Sequence, residues 1–159
     1  MKTITPCLWF DGNAEEAVKF YTSIFKDGKI LSTSYYGPGM HLPEGTVLTI
    51  TFEIMGQQFM ALNGGPEFKF DEAISLMIPC DTQEEIDYYW DKLTAAGGQP
   101  VQCGWLKDKF GLSWQVVPRI IEKHLNDKDQ AKTNRVMKAV MGMVKLDIAE
   151  IEKAYKEAA

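Results

Sequence analysis

Asn13-Ala14-Glu15-Glu16, followed by Phe20, Tyr21 and Ile24, is matched 69 residues later by Thr82-Gln83-Glu84-Glu85, followed by Tyr89, Trp90 and Leu93. In both stretches a capping residue precedes a Glu by three positions, the spacing of a capping box, so each marks a helix start. An aromatic pair and an aliphatic residue then hold the same register along the helix. Each helix follows an apolar strand that ends in Asp, at 7–11 and at 74–81. Capping boxes are common, and two amphipathic helices can look alike without kinship. A shared register behind the same kind of strand favours a duplicated unit.

More strands follow each helix. In the first half they fall at 29–36, 47–55 and 58–62, and the turn Met55-Gly56-Gln57 makes the last two a hairpin. A loop with Gly37-Pro38-Gly39 and Pro43-Glu44-Gly45 separates the first two. In the second half Gly97-Gly98 stops the helix. Strands at 100–106 and 112–117 flank a turn around Asp108-Lys109-Phe110-Gly111, and Pro118 ends the sheet. The remainder, 119–159, reads as helical. Val136, Met137, Val140, Met141 and Val144 stand at helical spacing within 130–145, and a last helix from Asp147 carries Ile148, Ile151 and Tyr155 on one stripe.

Composition narrows the function classes. With 159 residues, 45% hydrophobic and 25% charged, the chain is an ordinary globular sequence. A net charge of -5 and a pI near 5.1 argue against broad binding to nucleic acid or anionic membranes. No apolar run approaches the roughly 20 residues of a membrane helix. The sequence reaches Asp11 before a signal peptide's apolar stretch could form, which predicts a cytoplasmic location. Cys7, Cys80 and Cys103 are odd in number and widely spaced, as reduced cytoplasmic thiols are. His41 and His124 are the only histidines, which excludes a histidine-rich metal site.

The motifs resemble a known family, the glyoxalase/bleomycin-resistance/dihydroxybiphenyl-dioxygenase group of vicinal oxygen chelate proteins. Within it they resemble the PhnB-like branch, whose domain carries a demethylubiquinone methyltransferase label. The resemblance rests on Leu8-Trp9-Phe10-Asp11-Gly12-Asn13-Ala14-Glu15-Glu16-Ala17 with Phe20-Tyr21. It also rests on Ala73-Ile74-Ser75-Leu76, Gly104-Trp105-Leu106-Lys107-Asp108 and Phe110-Gly111-Leu112-Ser113-Trp114-Gln115. The tail Arg135-Val136-Met137-Lys138-Ala139-Val140-Met141 looks like the branch's C-terminal helix. The implied fold is α+β: two tandem βαβββ modules, about 1–66 and 73–118, forming a curved, cup-shaped mixed sheet with helices outside. A C-terminal helical extension, 119–159, follows this single domain. The resemblance also implies a homodimer.

Many members of the wider family hold a divalent metal through His or Glu at the first and last strands of each module. Aligned on the helix motifs, those positions fall on Cys7, Met60, Ser75 and Gln115. Met and Ser are poor ligands for hard ions, and no His or carboxylate stands at any of the four, so a site without metal or cofactor is expected. Strand alternation puts Cys7 with Trp9, Ser75 with Met77, and Ser113 with Gln115 and Val117 on one side. It puts Leu8, Phe10, Ile74, Leu76, Ile78, Trp114 and Val116 on the helix side. The first side mixes Ser, Gln, Cys and Met, as a small-molecule site does. The expected contacts are Cys7, Trp9, Met60, Met77 and Trp105, with Ser75 and Gln115 for orientation. The plainer reading has Ser75 and Gln115 bonded to each other or to water.

Other candidates carry two readings each. Trp105, Lys107 and Asp108 could touch a ligand, or Asp108 could simply cap its turn. Cys7 lacks a nearby His in sequence, which weighs against a nucleophile. One of Tyr35 and Tyr36 should face inward. Met137, Met141 and Met143 read as packing, either in a dimer or over the site. Neither strand-to-helix turn, Phe10-Asp11-Gly12-Asn13 or Cys80-Asp81-Thr82, has the glycine pattern of S-adenosylmethionine enzymes. The expected function is therefore binding of a small, mostly apolar ligand, with no reaction or catalytic residue identified. A metal-dependent lyase, isomerase or dioxygenase of the same fold, a methyltransferase and a purely structural module remain alternatives.

Overall fold

The structure, a computed structural model, describes residues 4–157. It divides into two compact units, Met1–Phe70 and Asp71–Ala159. In the first, β1 (Cys7–Phe10), α1 (Ala14–Ile24), β2 (Lys29–Tyr35), β3 (Val47–Ile54) and β4 (Gln57–Asn63) form one βαβββ module. Its sheet order is β1-β4-β3-β2, parallel at β1·β4 and antiparallel elsewhere. The second repeats this with β5 (Leu76–Cys80), α2 (Gln83–Thr94), β6 (Gln99–Pro100), β7 (Trp105–Lys107) and β8 (Ser113–Pro118), in the order β5-β8-β7-β6. Helices α3 (Ile120–Leu125), α4 (Gln130–Met141) and α5 (Ile148–Lys156) follow. The α+β class, the two modules and the C-terminal helices are those the sequence implies.

Alternation along the strands decides which side each unit buries. In the first sheet Leu8, Phe10, Ile50, Phe52, Phe59 and Ala61 turn to α1 and are buried. The helix answers with Ala14, Ala17, Val18, Tyr21 and Ile24, a stripe at i, i+3, i+4 and i+7. Tyr21 and Phe59 stack on Phe52, with ring centroids 6.2 and 5.4 Å away. In the second sheet Ile78, Leu106, Trp114 and Val116 meet Ile86, Trp90 and Leu93 of α2. The repeat also appears in main-chain bonds: Gly28 N–H donates to Phe25 O as Gly98 N–H donates to Ala95 O. Likewise Phe10 O accepts from Gly64 N–H as Cys80 O accepts from Arg119 N–H.

Four expectations are corrected. Ile74 lies outside β5 and is 74% exposed, so it does not meet the helix. The strand expected at 100–106 is two strands, because Cys103 (φ 61°) and Gly104 (φ 79°) turn the chain into the left-handed region between them. That break restores the third strand the repeat requires. The helix expected at 130–145 ends at Met141; Val136 and Val140 are buried, but Met137, Met141 and Val144 are exposed. Finally, only the second capping box forms. Thr82 Oγ1 accepts from Glu85 N–H (3.3 Å), and Glu85 reaches back to Asp81 N–H (2.7 Å).

Asn13 makes no side-chain cap bond. The first amide of α1 is satisfied from a distance instead: Ala14 N–H donates to Asn63 Oδ1 at 2.9 Å. Asn63 Nδ2 donates to Val47 O (2.9 Å), and Asn63 O accepts from the Tyr36 hydroxyl (2.6 Å). Asn63 is buried and joins helix, sheet and loop. Removing a buried side chain with two such bonds leaves a donor and an acceptor without partners. Asn63→Ala is expected to lower the unfolding free energy by about 3 kcal/mol in urea denaturation. Asn13→Ala should change it by less than about 0.5 kcal/mol. The reverse order would restore the sequence-based cap.

Candidate functional site

The strand sides turned away from the helices carry the residues singled out in the sequence. In the first unit Cys7 stands in register with Met60, and Trp9 with Leu62. Across β3 the same rows continue to Thr51 and Thr49. Cys7 is exposed; Trp9 and Met60 are half-buried. In the second unit Gln115 stands in register with both Met77 and Trp105, making one row across β5, β8 and β7. Met77 is 59% exposed, while Gln115 and Trp105 are half-buried. Behind this row Leu106, Trp114 and Val116 are packed tight. Each unit thus has one closed side and one open side that mixes apolar and hydrogen-bonding groups.

Ser75 and Gln115 are brought together. Gln115 Nε2 donates to Ser75 Oγ at 2.8 Å, the plainer pairing foreseen for them. The bond uses one Gln115 donor and one Ser75 lone pair. The amide oxygen of Gln115 and the hydroxyl hydrogen of Ser75 are separate groups, an acceptor and a donor side by side. Ser113, on the same side of β8, is buried with its Oγ unpartnered. Lys107 is held by Glu72 at 2.5 Å, and this bond draws the Glu72 carboxyl below its ordinary range.

Trp9 is fixed by its own loop. Its Nε1–H donates to Gly65 O at 2.8 Å, and its ring lies so close to Gly64 that an added Cβ would come within 2.3 Å of it. Phe68 sets its edge on the Trp9 ring, centroids 4.9 Å apart, and is itself 65% exposed. Phe68 belongs to this aromatic surface and is absent from the sequence-based set. Its signal was weak, since it lies in a loop with no strand alternation to orient it.

Asp108 takes the structural role. It is buried; Oδ1 accepts from Phe110 N–H (2.8 Å) and Leu112 N–H (3.1 Å), and Oδ2 from Trp114 Nε1–H (2.9 Å). Tyr36 is the inward tyrosine and Tyr35 the exposed one. His41 is an exposed loop residue against the Tyr36 hydroxyl, 3.3 Å away. Two open cavities, about 690 Å³ between α4 and α5 and about 410 Å³ beside Thr82 and Asp147, contain none of the expected contact residues.

Cys7, Met60, Ser75 and Gln115, the positions at which the resemblance implies the family's metal ligands, offer few donors. Cys7 and Met60 offer sulfur, and burial pushes the Cys7 thiol up, away from the thiolate a metal needs. Ser75 already accepts a hydrogen bond from Gln115. No imidazole or carboxylate stands in the set. Among the described residues no group of three or more His, Cys, Asp or Glu is placed to hold a metal ion. These donors do not fit a hard divalent ion.

Against known proteins, the sequence profile of the 3-demethylubiquinone-9 3-methyltransferase family matches residues 2–117. The chain belongs to that family. A PhnB protein from Bacillus cereus is 40% identical over 74% of this chain and 99% of its own, with a TM-score of 0.67. Two more distant structures share the fold. One is from Pseudomonas aeruginosa (20% identity, 74% of this chain and 98% of that one, TM-score 0.61). The other is the fosfomycin resistance protein FosX from Listeria monocytogenes (16%, 79% and 98%, 0.56). No curated protein matches the chain. The PhnB-like branch expected from the motifs is thus the right one, and the two more distant structures show a shared fold. The family match ends at 117, so the tail around Arg135–Met141 lies beyond it. Among the described residues no helix is long and apolar enough to cross a membrane.

The thiols give a direct check. Burial raises the Cys7 thiol although the residue is exposed, and burial together with Glu85 and Asp81 pushes Cys80 up to about 12. Alkylation follows the thiolate fraction. Cys7 should react with iodoacetamide more slowly than a free thiol at pH 7.5 and gain about tenfold per pH unit above that. Cys80 should stay unlabelled until the chain unfolds. Rapid labelling of Cys7 at neutral pH would instead show an activated nucleophile.

Proposed function

We propose that the chain binds a small, mostly apolar, uncharged ligand on the open side of its second sheet. The observation that supports this most is the row Met77–Gln115–Trp105. An exposed methionine and a half-buried tryptophan flank an amide whose neighbour, Ser75, is already oriented. Apolar area with a few fixed polar groups suits a ligand with one neutral carbonyl or hydroxyl. Lys107, the cation on this side, is engaged by Glu72, so an anionic ligand finds little to neutralise it. Met77 and Trp105 supply contact area there, and Ser75 and Gln115 orient the ligand; Cys7, Trp9 and Met60 form a separate contact surface on the first sheet. Covering an exposed methionine side chain is worth about 1.5–3 kcal/mol. In keeping with the family, the protein acts as a cytoplasmic homodimer.

The family name raises a methyltransferase reading. Each sheet has a single parallel pair, and neither strand-to-helix turn has the glycine pattern that cradles such a cofactor. A structural reading is favoured by the Ser75–Gln115 bond, which satisfies the two groups mutually.

Benzophenone, a neutral aromatic ketone, separates these readings when its binding is followed by tryptophan fluorescence. Gln115→Ala and Trp105→Ala are each expected to weaken it about tenfold, the worth of one hydrogen bond or aromatic contact. Met141→Ala should leave it unchanged. No saturable binding, or equal affinity in all variants, would favour the structural reading. A dose-dependent rise in melting temperature with S-adenosylmethionine would favour the methyltransferase. Stoichiometric metal in purified protein, lost in Gln115→Ala, would overturn the metal-free reading.

A further inference from the structure

The turn that precedes Trp105 is held from outside the family domain. Cys103 and Gly104 are both left-handed, and their N–H groups point the same way. Cys103 N–H donates to Met143 O and Gly104 N–H to Val144 O, each at 2.8 Å. These acceptors lie between α4 and α5, well past residue 117, where the family match ends. The B. cereus PhnB protein, matched over 99% of its length, likewise covers only 74% of this chain. A non-glycine residue in the left-handed region persists only where its surroundings over-determine it, and here the surroundings are the extension.

The contact is tight and continuous. Leu146 is buried with Ile121, Val136, Val140 and Ile151, and Cys103 packs against that cluster. A Cβ on Gly104 would come within 2.8 Å of both Leu146 Cδ1 and Val116 O. The extension is also fastened to α2. Gln83 Nε2 donates to Leu146 O (3.2 Å), Ile148 N–H donates to Gln83 Oε1 (2.9 Å), and Lys145 pairs with Asp87 (2.6 Å). From the turn the path to the open side is short. Gly104 O accepts from Val116 N–H at 2.8 Å, and the next residue, Trp105, is the register partner of Gln115.

We infer that the C-terminal extension is a positioning element: the 143–146 segment fixes the Cys103-Gly104 turn and so sets Trp105 against Gln115. This rests on reading that row as the ligand surface. The acceptors that hold this turn lie beyond the residues the family profile matches.

The test uses the full chain labelled with nitrogen-15 and three variants. Leu146→Ala opens the packing against Gly104, Leu146→Met keeps its bulk, and Gln83→Ala removes the two bonds to the extension without touching the core. Three readouts are followed: amide exchange at Cys103 and Gly104, the Trp105 indole resonance (assigned with Trp105→Phe), and benzophenone affinity. Leu146→Ala is expected to speed exchange at both amides at least tenfold, shift the Trp105 indole and weaken benzophenone at least fivefold. Leu146→Met should retain all three wild-type values, and the Trp9 indole should not move in any variant. If Leu146→Ala does not fold, Gln83→Ala is expected to show the same changes in smaller measure. Faster exchange at Cys103 and Gly104 with an unmoved Trp105 indole would overturn the inference, as would no change in either. If benzophenone fails to bind even the unsubstituted chain, the ligand reading falls, and exchange and the indole still decide the positioning role.

Discussion

A helix laid on a four-stranded sheet buries one of its sides, and α1 and α2 do this for the first and the second sheet. Residues one apart on a strand point to opposite sides, so the helix fixes the fate of every second residue. Leu8, Phe10, Ile78, Trp114 and Val116 are committed to packing. Their neighbours Cys7, Trp9, Met77 and Gln115 are left to the other side and are exposed or half-buried. The candidate site follows from that division of labour.

The duplicated unit makes the division legible in the sequence. Matching helix starts give the register, and the register predicts which strand residues sit together. Ser75 and Gln115, for which a mutual bond was the plainer expectation, are joined at 2.8 Å, and the strand register sets Cys7 beside Met60. Non-local contacts were not legible. Asn63 caps α1 from 49 residues away, and no local pattern announces that a helix will borrow its cap. Asn13 has a capping residue's identity, but its φ and ψ of -110° and 19° are not those of a cap. The sequence also makes 100–106 look like one strand, because it shows composition and not the left-handed pair at Cys103-Gly104. Helix periodicity carried α4 past Met141 for a similar reason: Val144 keeps the spacing after the helix has ended.

Polar groups divide into those that hold the scaffold and those left to meet a ligand. Asp108 is wholly consumed by its turn and by Trp114. Lys107 is taken by Glu72. Gln115 and Ser75 are used only in part, which gives a fixed direction without exhausting their capacity. The family's scaffold is present in this chain, while the carboxylates and imidazoles that would draw a hard metal are absent from the corresponding positions. Under the proposed binding role such a surface would recognise by shape and by a neutral hydrogen bond, with the extension beyond residue 117 as a second influence on its geometry.

Photolabelling with benzophenone, which inserts preferentially at methionine, tests the central claim most directly because exposed methionines serve as internal controls. Met141 is 63% exposed, Met77 59%, Met40 50% and Met55 45%. If the open side of the second sheet binds the ketone, peptide mapping will find the label concentrated at Met77 and suppressed there by excess acetophenone. Labelling ranked by exposure, with Met141 first and no protection by acetophenone, would contradict the account.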